Sequence, residues 1–274
     1  MDVSATCNLA CRDCYTKQTH VAELMNVERF RTLMTRIATA PGLIGRLHLN
    51  WRGEPLTNKK LPEILKIRHD LLPNVPMELH TNGILLNDRN SGELVASGLP
   101  SDIIYVSLDG GGREAHESNR GEGSWAPALR GLRRLLDARD QLGPGPQIGI
   151  YEIYYGPQTL YDRELIELSR RCDDWTQVRP VDVQGREATY ADGPAPFGPC
   201  MWAGNAMCVT AKGDAHVCPL SFRSDGRLGN VFEDDPQIIA ERAREFRQNL
   251  AQFGRGGVAH CRGCQKVEGD MNDA

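Results

Sequence analysis

Nine cysteines are the residues of this 274-residue chain best suited to chemistry, and their spacing is uneven. A C-x3-C-x2-C group lies at the N-terminal end, and a second group falls in the last third of the chain. Isolated structural cysteines are usually buried singly and do not cluster in this way. Thiolates at short spacing select zinc or iron–sulfur clusters. The first group is Cys7, Cys11 and Cys14, the second is Cys200, Cys208, Cys218, Cys261 and Cys264, and Cys172 stands alone.

The number of thiols in the first group favours iron over zinc. Structural zinc takes four ligands, typically from two C-x2-C pairs, whereas Cys7, Cys11 and Cys14 offer three. Three thiolates on a four-iron cluster leave one iron open for a substrate or a cofactor. We therefore predict a catalytic iron–sulfur cluster at this group. A non-catalytic, zinc-bound protein is the alternative from a different class.

Composition narrows the class of protein further. The chain has 32 basic and 36 acidic residues, a formal net charge of −4, and so lacks the basic excess of a nucleic-acid-binding protein. No run of about 18 apolar residues occurs, so no membrane span is expected. The first residues have neither the basic nor the apolar region of a signal peptide. We expect a folded cytoplasmic protein with reduced thiols and with no nucleic-acid or membrane partner.

Helical and strand-like patterns alternate along the first part of the chain. Met25–Ala38 has apolar residues at helical spacing, with Asn26 as a candidate N-cap. About six β/α repeats predict a parallel sheet with right-handed crossovers, as in a partial barrel rather than the eight repeats of a full one. The other predicted helices are Leu61–Leu71, Ala126–Leu142 and Tyr161–Arg171, and the predicted strands include Ile103–Leu108, Gln147–Tyr155 and Gln177–Val183.

A Pro/Gly-rich stretch, Asp192–Pro199, predicts a linker and therefore two domains, residues 1–190 and 191–274. A glycine turn between alternating segments predicts a β-hairpin in the second domain. The predicted elements of this domain are the hairpin, Ala206–Ala211 with Ala215–Pro219, and a helix, Pro236–Phe253.

Several runs of residues resemble the motifs of the radical S-adenosylmethionine (radical SAM) superfamily over about residues 1–185. Cys7 to Tyr15, C-N-L-A-C-R-D-C-Y, is similar to its cluster signature. Asn50 to Pro55 lies where the family carries Gly-Gly-Glu, with Arg52 in place of the first glycine. The other similar runs are Glu78 to Gly83, Tyr105 to Gly110 and His116 to Gly121.

The resemblance implies roles for particular residues and two further components. Cys7, Cys11 and Cys14 would hold a four-iron cluster, and SAM would bind its open iron. An electron donor such as flavodoxin or ferredoxin would reduce the cluster. The residues that the resemblance implies as SAM contacts are Tyr15, Gly53, Glu54, Ser107 and, for SAM or substrate, Glu152.

The C-terminal cysteines resemble the twitch extension, a shortened SPASM domain, through Cys200-x12-Gly213-x4-Cys218 and Cys261-x2-Cys264. Arg227 to Val231 matches the Leu-Gly-Asn-Val found between the two halves. The resemblance implies a second, auxiliary four-iron cluster held by Cys200, Cys218, Cys261 and Cys264. The expected fold is α/β, a partial (β/α)6 TIM-like barrel with a small C-terminal twitch domain of β-hairpin plus helix.

Cys208 decides which reaction we predict. It lies on the first strand of the hairpin, opposite about Val217 and beside Cys218. A thiol near the barrel mouth can return a hydrogen atom to a substrate radical, as in radical SAM epimerases. We predict an epimerase, with Cys172 a structural thiol. The alternative is a dehydrogenase, in which the auxiliary cluster accepts an electron and an arginine before the first auxiliary cysteine assists; Arg186 is displaced from that position.

The expected substrate is a carbohydrate or an aminoglycoside-type natural product of antibiotic biosynthesis. Members of the superfamily that modify sugars and aminocyclitols, such as 2-deoxy-scyllo-inosamine, carry the same twitch pattern. No peptide-recognition domain precedes Cys7, which argues against a ribosomal-peptide substrate. Asp109, Glu117 and Glu152 are candidates for binding substrate hydroxyls or amines.

Overall fold

The computed structural model describes residues 1–14, 16–17, 20–156, 160–178, 200–219 and 226–262. Within these residues, a parallel sheet has its five strands in chain order. The strands are β1 (Leu47–His48), β2 (Met77–Thr81), β3 (Ile103–Ser107), β4 (Gln147–Ile153) and β5 (Asp174–Val178). Helix α1 (Val27–Ala38) precedes β1, and the helices between the strands are α2 (Leu61–Leu71), α3 (Asp88–Ser97), α4 (Arg113–Arg120), α5 (Trp125–Leu142) and α6 (Arg163–Ser169). This is the expected α/β partial barrel, with the α2 boundaries as predicted.

The described sheet has five strands, not the six predicted, because the N-terminal segment does not form a regular ladder. That segment still runs beside β1: the Met1 nitrogen donates to the His48 carbonyl at 2.7 Å, and the Glu54 N–H donates to the Thr6 carbonyl at 2.9 Å. A single bridge joins Ser4 to Leu24. The segment therefore occupies the edge of the barrel next to β1 and leads directly into the cysteine loop.

Alternation along the strands separates two surfaces. One surface carries fully buried apolar side chains, such as Leu79, Ile104 and Ile150, in the main core. The helices complete this core with residues such as Leu65, Leu94, Leu132 and Leu135. The opposite surface borders an internal cavity, which we call the lumen. The residues that line it from the strands and from the end of β1 are His48, Asn50, Glu78, His80, Tyr105, Tyr151, Thr176 and Val178.

Helix α1 begins where the sequence predicted, because Asn26 caps it. The Asn26 side chain accepts a hydrogen bond from the Arg29 N–H at 3.0 Å. Replacing Asn26 with alanine leaves that N–H without the side-chain acceptor that caps it. We expect the free energy of unfolding to fall by about 1 kcal/mol. Urea denaturation measures it. Asn26→Asp should retain nearly the wild-type value, and an unchanged midpoint for Asn26→Ala would contradict the capping role.

The C-terminal part contains an antiparallel sheet of three strands rather than a two-stranded hairpin. The third strand is Arg227–Asn230, where the sequence showed only a motif. Cys208 pairs with His216, not Val217, because the turn from Thr210 to Asp214 is centred on Lys212. The elements are α7 (Met201–Asn205), β6 (Cys208–Val209), β7 (Asp214–His216), β8 (Arg227–Asn230) and α8 (Pro236–Gly257).

Hydrogen bonds join this part to the barrel at several points. The Asp2 N–H donates to the Val209 carbonyl at 2.8 Å, and the Trp51 indole N–H donates to the Pro219 carbonyl at 3.1 Å. Strand β6 thus lies against the N-terminal edge of the barrel. The stretch predicted as the linker, residues 192–199, lies outside the described residues. No helix among the described residues is long and apolar enough to cross a lipid bilayer.

Candidate active site

The loop that carries Cys7, Cys11 and Cys14 is held against the end of α4. The Arg12 N–H donates to the Asn119 carbonyl at 2.7 Å, and the Asp13 N–H donates to the Asn119 Oδ1 atom at 2.9 Å. All three thiols are partly buried. The helix therefore fixes the backbone between the second and third cysteines of the motif.

The three thiols are close enough to influence one another. Burial, together with the neighbouring charges of Glu54, Cys11 and Cys14, raises the pKa of Cys7 to about 11. Burial also acts on Cys14, but its contacts with Thr16 at 3.4 Å and with His20 at 3.9 Å lower its pKa overall. The soft donor set fits an iron–sulfur cluster.

Each cysteine of a four-iron cluster binds a different iron, so the sulfur atoms need not converge on one point. Accordingly, in the part of the chain that the structure describes, no three His, Cys, Asp or Glu side chains form a site for a single ion.

Glu54 is the centre of the loop that follows β1. Its side chain is 2 % exposed and accepts hydrogen bonds from the Thr81 hydroxyl at 2.7 Å, the Asn82 N–H at 2.7 Å and the Leu56 N–H at 3.1 Å. A carboxylate accepts about four hydrogen bonds, which leaves room for one more. Asn82 in turn donates from Nδ2 to the Asn8 side chain at 2.8 Å. Glu54 therefore ties the loop after β2 to the cysteine loop.

Gly53 packs directly on the N-terminal segment. A Cβ atom at this position would lie 2.5 Å from the Thr6 carbonyl oxygen and 2.6 Å from that of Ser4. No side chain fits here, which is a physical reason for the one glycine that remains of the Gly-Gly-Glu pattern.

Arg52, at the position of the missing glycine, is buried against Asp2. Its N–H donates to Asp2 Oδ1 at 2.8 Å, and its guanidinium Nε donates to Oδ2 at 2.5 Å.

Ser107 and Glu152 lie on different sides of the sheet. Ser107, at the carboxyl end of β3, is buried on the same side as Tyr105, and its hydroxyl makes no hydrogen bond to another described residue. Glu152 follows the lumen residue Tyr151 and so points the other way. Its carboxylate accepts from the Trp175 indole and the Gln177 amide, both at 2.9 Å. The structure therefore places Glu152 on the face of the sheet opposite the lumen, and its contact with SAM or substrate stays a prediction.

Two other predicted acids are occupied by protein donors. Asp109 accepts from Arg120 Nε at 2.6 Å and from Asn119 Nδ2 at 2.6 Å. Burial opposes ionisation of Asp109, but Arg120 holds its pKa below the usual value. Glu117 accepts from the Trp125 N–H at 3.3 Å. The prediction that Asp109 and Glu117 bind substrate is not supported, since these bonds fix helix α4 under the cysteine loop.

The lumen contains a polar cluster that the sequence motifs did not predict. Glu78 Oε1 accepts from His80 Nε2 at 2.8 Å and from His48 Nδ1 at 3.2 Å, and Oε2 accepts from Arg46 at 3.1 Å. Burial opposes ionisation of Glu78, but the two histidines lower its pKa overall. The signal was present in the sequence, because His48, Asn50, Glu78 and His80 alternate with apolar residues along two adjacent strands.

Cys208 borders the same cavity from the C-terminal part. The cavity has a volume of about 2000 Å³, and both Cys208 and His80 line it. Cys208 is 8 % exposed, and burial raises its pKa to about 12. At neutral pH it is therefore a neutral thiol, close to Cys218.

Two of the predicted auxiliary ligands lie at the same apolar cluster. Cys261, which is buried, belongs to a small apolar cluster with Leu250 and Val258, and Cys200 packs against that cluster. Cys218 is half-buried after β7. Cys264 and Tyr15 lie outside the described residues, so their predicted roles stay predictions.

A barrel with a cysteine loop over its strand ends, followed by a small cysteine-bearing domain, defines a class of iron–sulfur enzyme. The family model of the radical SAM superfamily matches residues 1–169, and that of the SPASM iron–sulfur cluster-binding domain matches residues 200–265. The chain belongs to the radical SAM superfamily. It is a radical SAM enzyme whose cofactors are SAM and two iron–sulfur clusters.

Individual relatives are distant. The mycofactocin maturase MftC of Mycobacterium ulcerans (strain Agy99) is 25% identical over 245 residues, which cover 76% of this chain and 65% of that relative. The structure of BtrN in complex with AdoMet and 2-DOIA is similar with a TM-score of 0.63 and 18% identity, over 100% of this chain and 95% of BtrN. That of anSMEcpe with AdoMet and the Kp18Cys peptide has a TM-score of 0.67 and 14% identity, over 96% and 89%. The two solved structures show the shared fold.

Proposed function

We propose that this enzyme is an epimerase of a carbohydrate or aminoglycoside-type substrate, in which Cys208 returns a hydrogen atom to the substrate radical. The observation that supports it is a buried, protonated thiol on the wall of the lumen. When bound, the cluster and SAM supply the 5′-deoxyadenosyl radical that removes a hydrogen atom from the substrate. Residues of this chain would bind and orient the substrate and return the hydrogen atom.

The positions of Cys208 and of the proposed SAM contacts favour inversion. Cys208 precedes Val209, which bonds to Asp2 at the level of His48 and Glu78. Thr81, which bonds to Glu54, is three residues further toward the carboxyl end of β2, roughly 10 Å along the strand. A substrate carbon between these levels is accessible from two sides. Loss of hydrogen on one side and its return on the other inverts the carbon.

The thiol of Cys208 must be regenerated after each turnover. Donation breaks the S–H bond of Cys208, forms a C–H bond on the substrate and leaves a sulfur-centred radical. Regeneration of the thiol takes one electron and one proton. We propose that a flavodoxin or ferredoxin supplies the electron, as it would supply the electron that starts the reaction.

The size and lining of the cavity support the substrate class. Typical small-molecule pockets measure about 300–1,000 Å³, whereas this cavity is about 2000 Å³. Its wall carries hydrogen-bonding side chains such as Asn50, Glu78 and His80. A substrate of several hydroxylated rings matches both features better than a single sugar. A peptide is the other occupant of this size, and anSMEcpe with the Kp18Cys peptide has the same fold.

Replacing Cys208 with alanine tests the proposal. In deuterium oxide the wild type should introduce one deuterium at the inverted carbon, because thiol protons exchange with solvent. Cys208→Ala should still cleave SAM but form no epimer, as measured by mass spectrometry of products from a panel of aminoglycosides. Cys172→Ala is the matched control, since Cys172 is a half-buried thiol on the far side of the sheet from the lumen. Epimer formation by Cys208→Ala would refute the donor role.

A dehydrogenase acting on the same substrate class is the second candidate. It is favoured by the similarity to BtrN, which extends over the whole of this chain. Its product would be lighter by two hydrogen atoms, and Cys208→Ala would form it normally. Arg186, the candidate assisting residue for this reaction, lies outside the described residues.

We also propose that residues 1–190 and 191–274 are separate domains in a cytoplasmic enzyme. The described part of the barrel ends with β5 at Val178, and the C-terminal part begins at Cys200. The proposed boundary falls between these two points. Limited proteolysis followed by mass mapping of the fragments tests it.

A further inference from the structure

The carboxylate of Glu78 determines which ring nitrogen of His80 carries the proton in the neutral imidazole. Two histidines and Arg46 surround this carboxylate, and their hydrogen bonds keep it ionised. An ionised carboxylate only accepts hydrogen bonds. Since His80 Nε2 lies 2.8 Å from Glu78 Oε1, Nε2 must carry the proton. In the neutral ring Nδ1 then has a lone pair and is an acceptor.

Aromatic rings hold the His80 ring in place. Its centroid lies 4.8 Å from that of Tyr105 and 4.6 Å from that of Tyr151. Tyr105 is itself anchored, because its hydroxyl donates to Asp174 at 2.8 Å. The backbone N–H of His80 donates to Asn50 Oδ1 at 3.1 Å, which fixes the strand position from which the ring projects. The imidazole is therefore oriented from several sides before any substrate arrives, as expected of a preorganised binding group.

His80 Nδ1 has no hydrogen-bond partner among the described residues, although the neighbouring Nε2 is paired. The residue lines the lumen together with Cys208. An acceptor without a partner at the wall of a cavity lacks only a ligand donor. The resemblance assigned no role to His48, Glu78 or His80, and the proposed function uses Glu78 and His80 only as part of the cavity wall.

We propose that His80 accepts a hydrogen bond from a hydroxyl group of the substrate, with Glu78 and His48 as positioning residues. The substrate class is then an alcohol, a polyol ring with at least one free hydroxyl in the lumen. This inference rests on the proposed function for the identity of the ring. It does not depend on whether the carbon is inverted or oxidised.

A hydrogen bond to the hydroxyl on the reacting carbon also has a chemical consequence. It increases electron density on the oxygen and weakens the adjacent C–H bond toward hydrogen-atom removal. The contact thus serves binding in either reaction and assists removal of the hydrogen when that hydroxyl is the one bound. Glu78 contributes indirectly, because it selects the tautomer that can accept.

Binding measurements without turnover test the inference. The holoenzyme with SAM but no reductant is titrated by calorimetry with 2-deoxy-scyllo-inosamine, neamine and myo-inositol. Each monodeoxy derivative of the polyol that binds most tightly is then titrated in the same way. We expect His80→Gln to bind that polyol about tenfold more weakly. One monodeoxy derivative should show the same loss with wild type and no further loss with His80→Gln. His69→Gln, on helix α2, is the matched control and should bind as wild type does.

The positioning role of Glu78 is tested by a measurement that a purely structural role would not change. Glu78→Gln keeps an acceptor for the His80 Nε2 proton, so it should retain more affinity than Glu78→Ala at equal thermal stability. Equal losses in both variants would refute the positioning role. The His80 proposal would be overturned if, for every monodeoxy derivative, the loss of affinity from the missing hydroxyl added to the loss from His80→Gln. It would also be overturned if the wild type bound none of the three polyols. An oxidised product with the His80 pattern intact would instead refute the epimerase and leave this inference standing.

Discussion

Replacing Cys11 with serine is expected to remove one of the two iron–sulfur clusters and to abolish cleavage of SAM. Cys11 is the middle thiol of the loop that α4 fixes, and burial raises its pKa, so the free side chain is a neutral thiol. Iron binds the thiolate and releases the proton. A serine hydroxyl is a hard and weakly acidic donor, and it does not replace a soft thiolate. Iron content should fall from about eight to about four per chain.

The matched control separates loss of a ligand from loss of a cysteine. Cys172 is also half-buried, and burial raises its pKa to about 12, but it packs against the main core away from the loop. Cys172→Ser should keep all of the iron and cleave SAM normally. If Cys11→Ser retained full iron content and SAM cleavage, the assignment of the N-terminal triad would be wrong. Zinc instead of iron in the wild type would favour the non-catalytic alternative.

Local sequence signals predicted the parts of the structure that depend on local chemistry. The cap of α1 at Asn26 and the whole of α2 follow from propensity and periodicity, which act within one or two turns. The cysteine spacing was also sufficient to predict an iron–sulfur enzyme, because ligand chemistry restricts which metals such a pattern binds.

Contacts between distant residues could not be predicted from the pattern. Arg68 and Asp102 are typical surface residues in a sequence, yet they form a fully buried ion pair at the base of the sheet, with Arg68 Nη1 2.6 Å from Asp102 Oδ2. The facing of Glu152 could not be predicted for a related reason. The strand was predicted, but its facing depends on which alternate residues meet the neighbouring strands, and Tyr151 takes the lumen side through its contact with His80.

Replacing Glu54 with alanine should weaken SAM binding about a hundredfold while leaving the iron content unchanged. The substitution removes the acceptor for three buried donors: the Thr81 hydroxyl and the N–H groups of Asn82 and Leu56. Each donor left unpaired costs about 1–3 kcal/mol. The loop after β2 then loses its connection to β1, and with it the surface on which the resemblance places SAM. Calorimetric titration of SAM into the reconstituted protein measures the loss.

Two further variants show whether the hydrogen bonds or the charge of Glu54 matter. Glu54→Gln keeps one oxygen acceptor but places an amide NH2 toward donors of the loop, so its affinity should fall between those of wild type and Glu54→Ala. Glu63→Ala is the control, because Glu63 is exposed and its pair with Lys60 at 3.2 Å is on the surface, where such pairs contribute at most about 1 kcal/mol. It should bind SAM as wild type does. Wild-type affinity in Glu54→Ala would show that the loop holds its shape without this carboxylate and that SAM binds elsewhere.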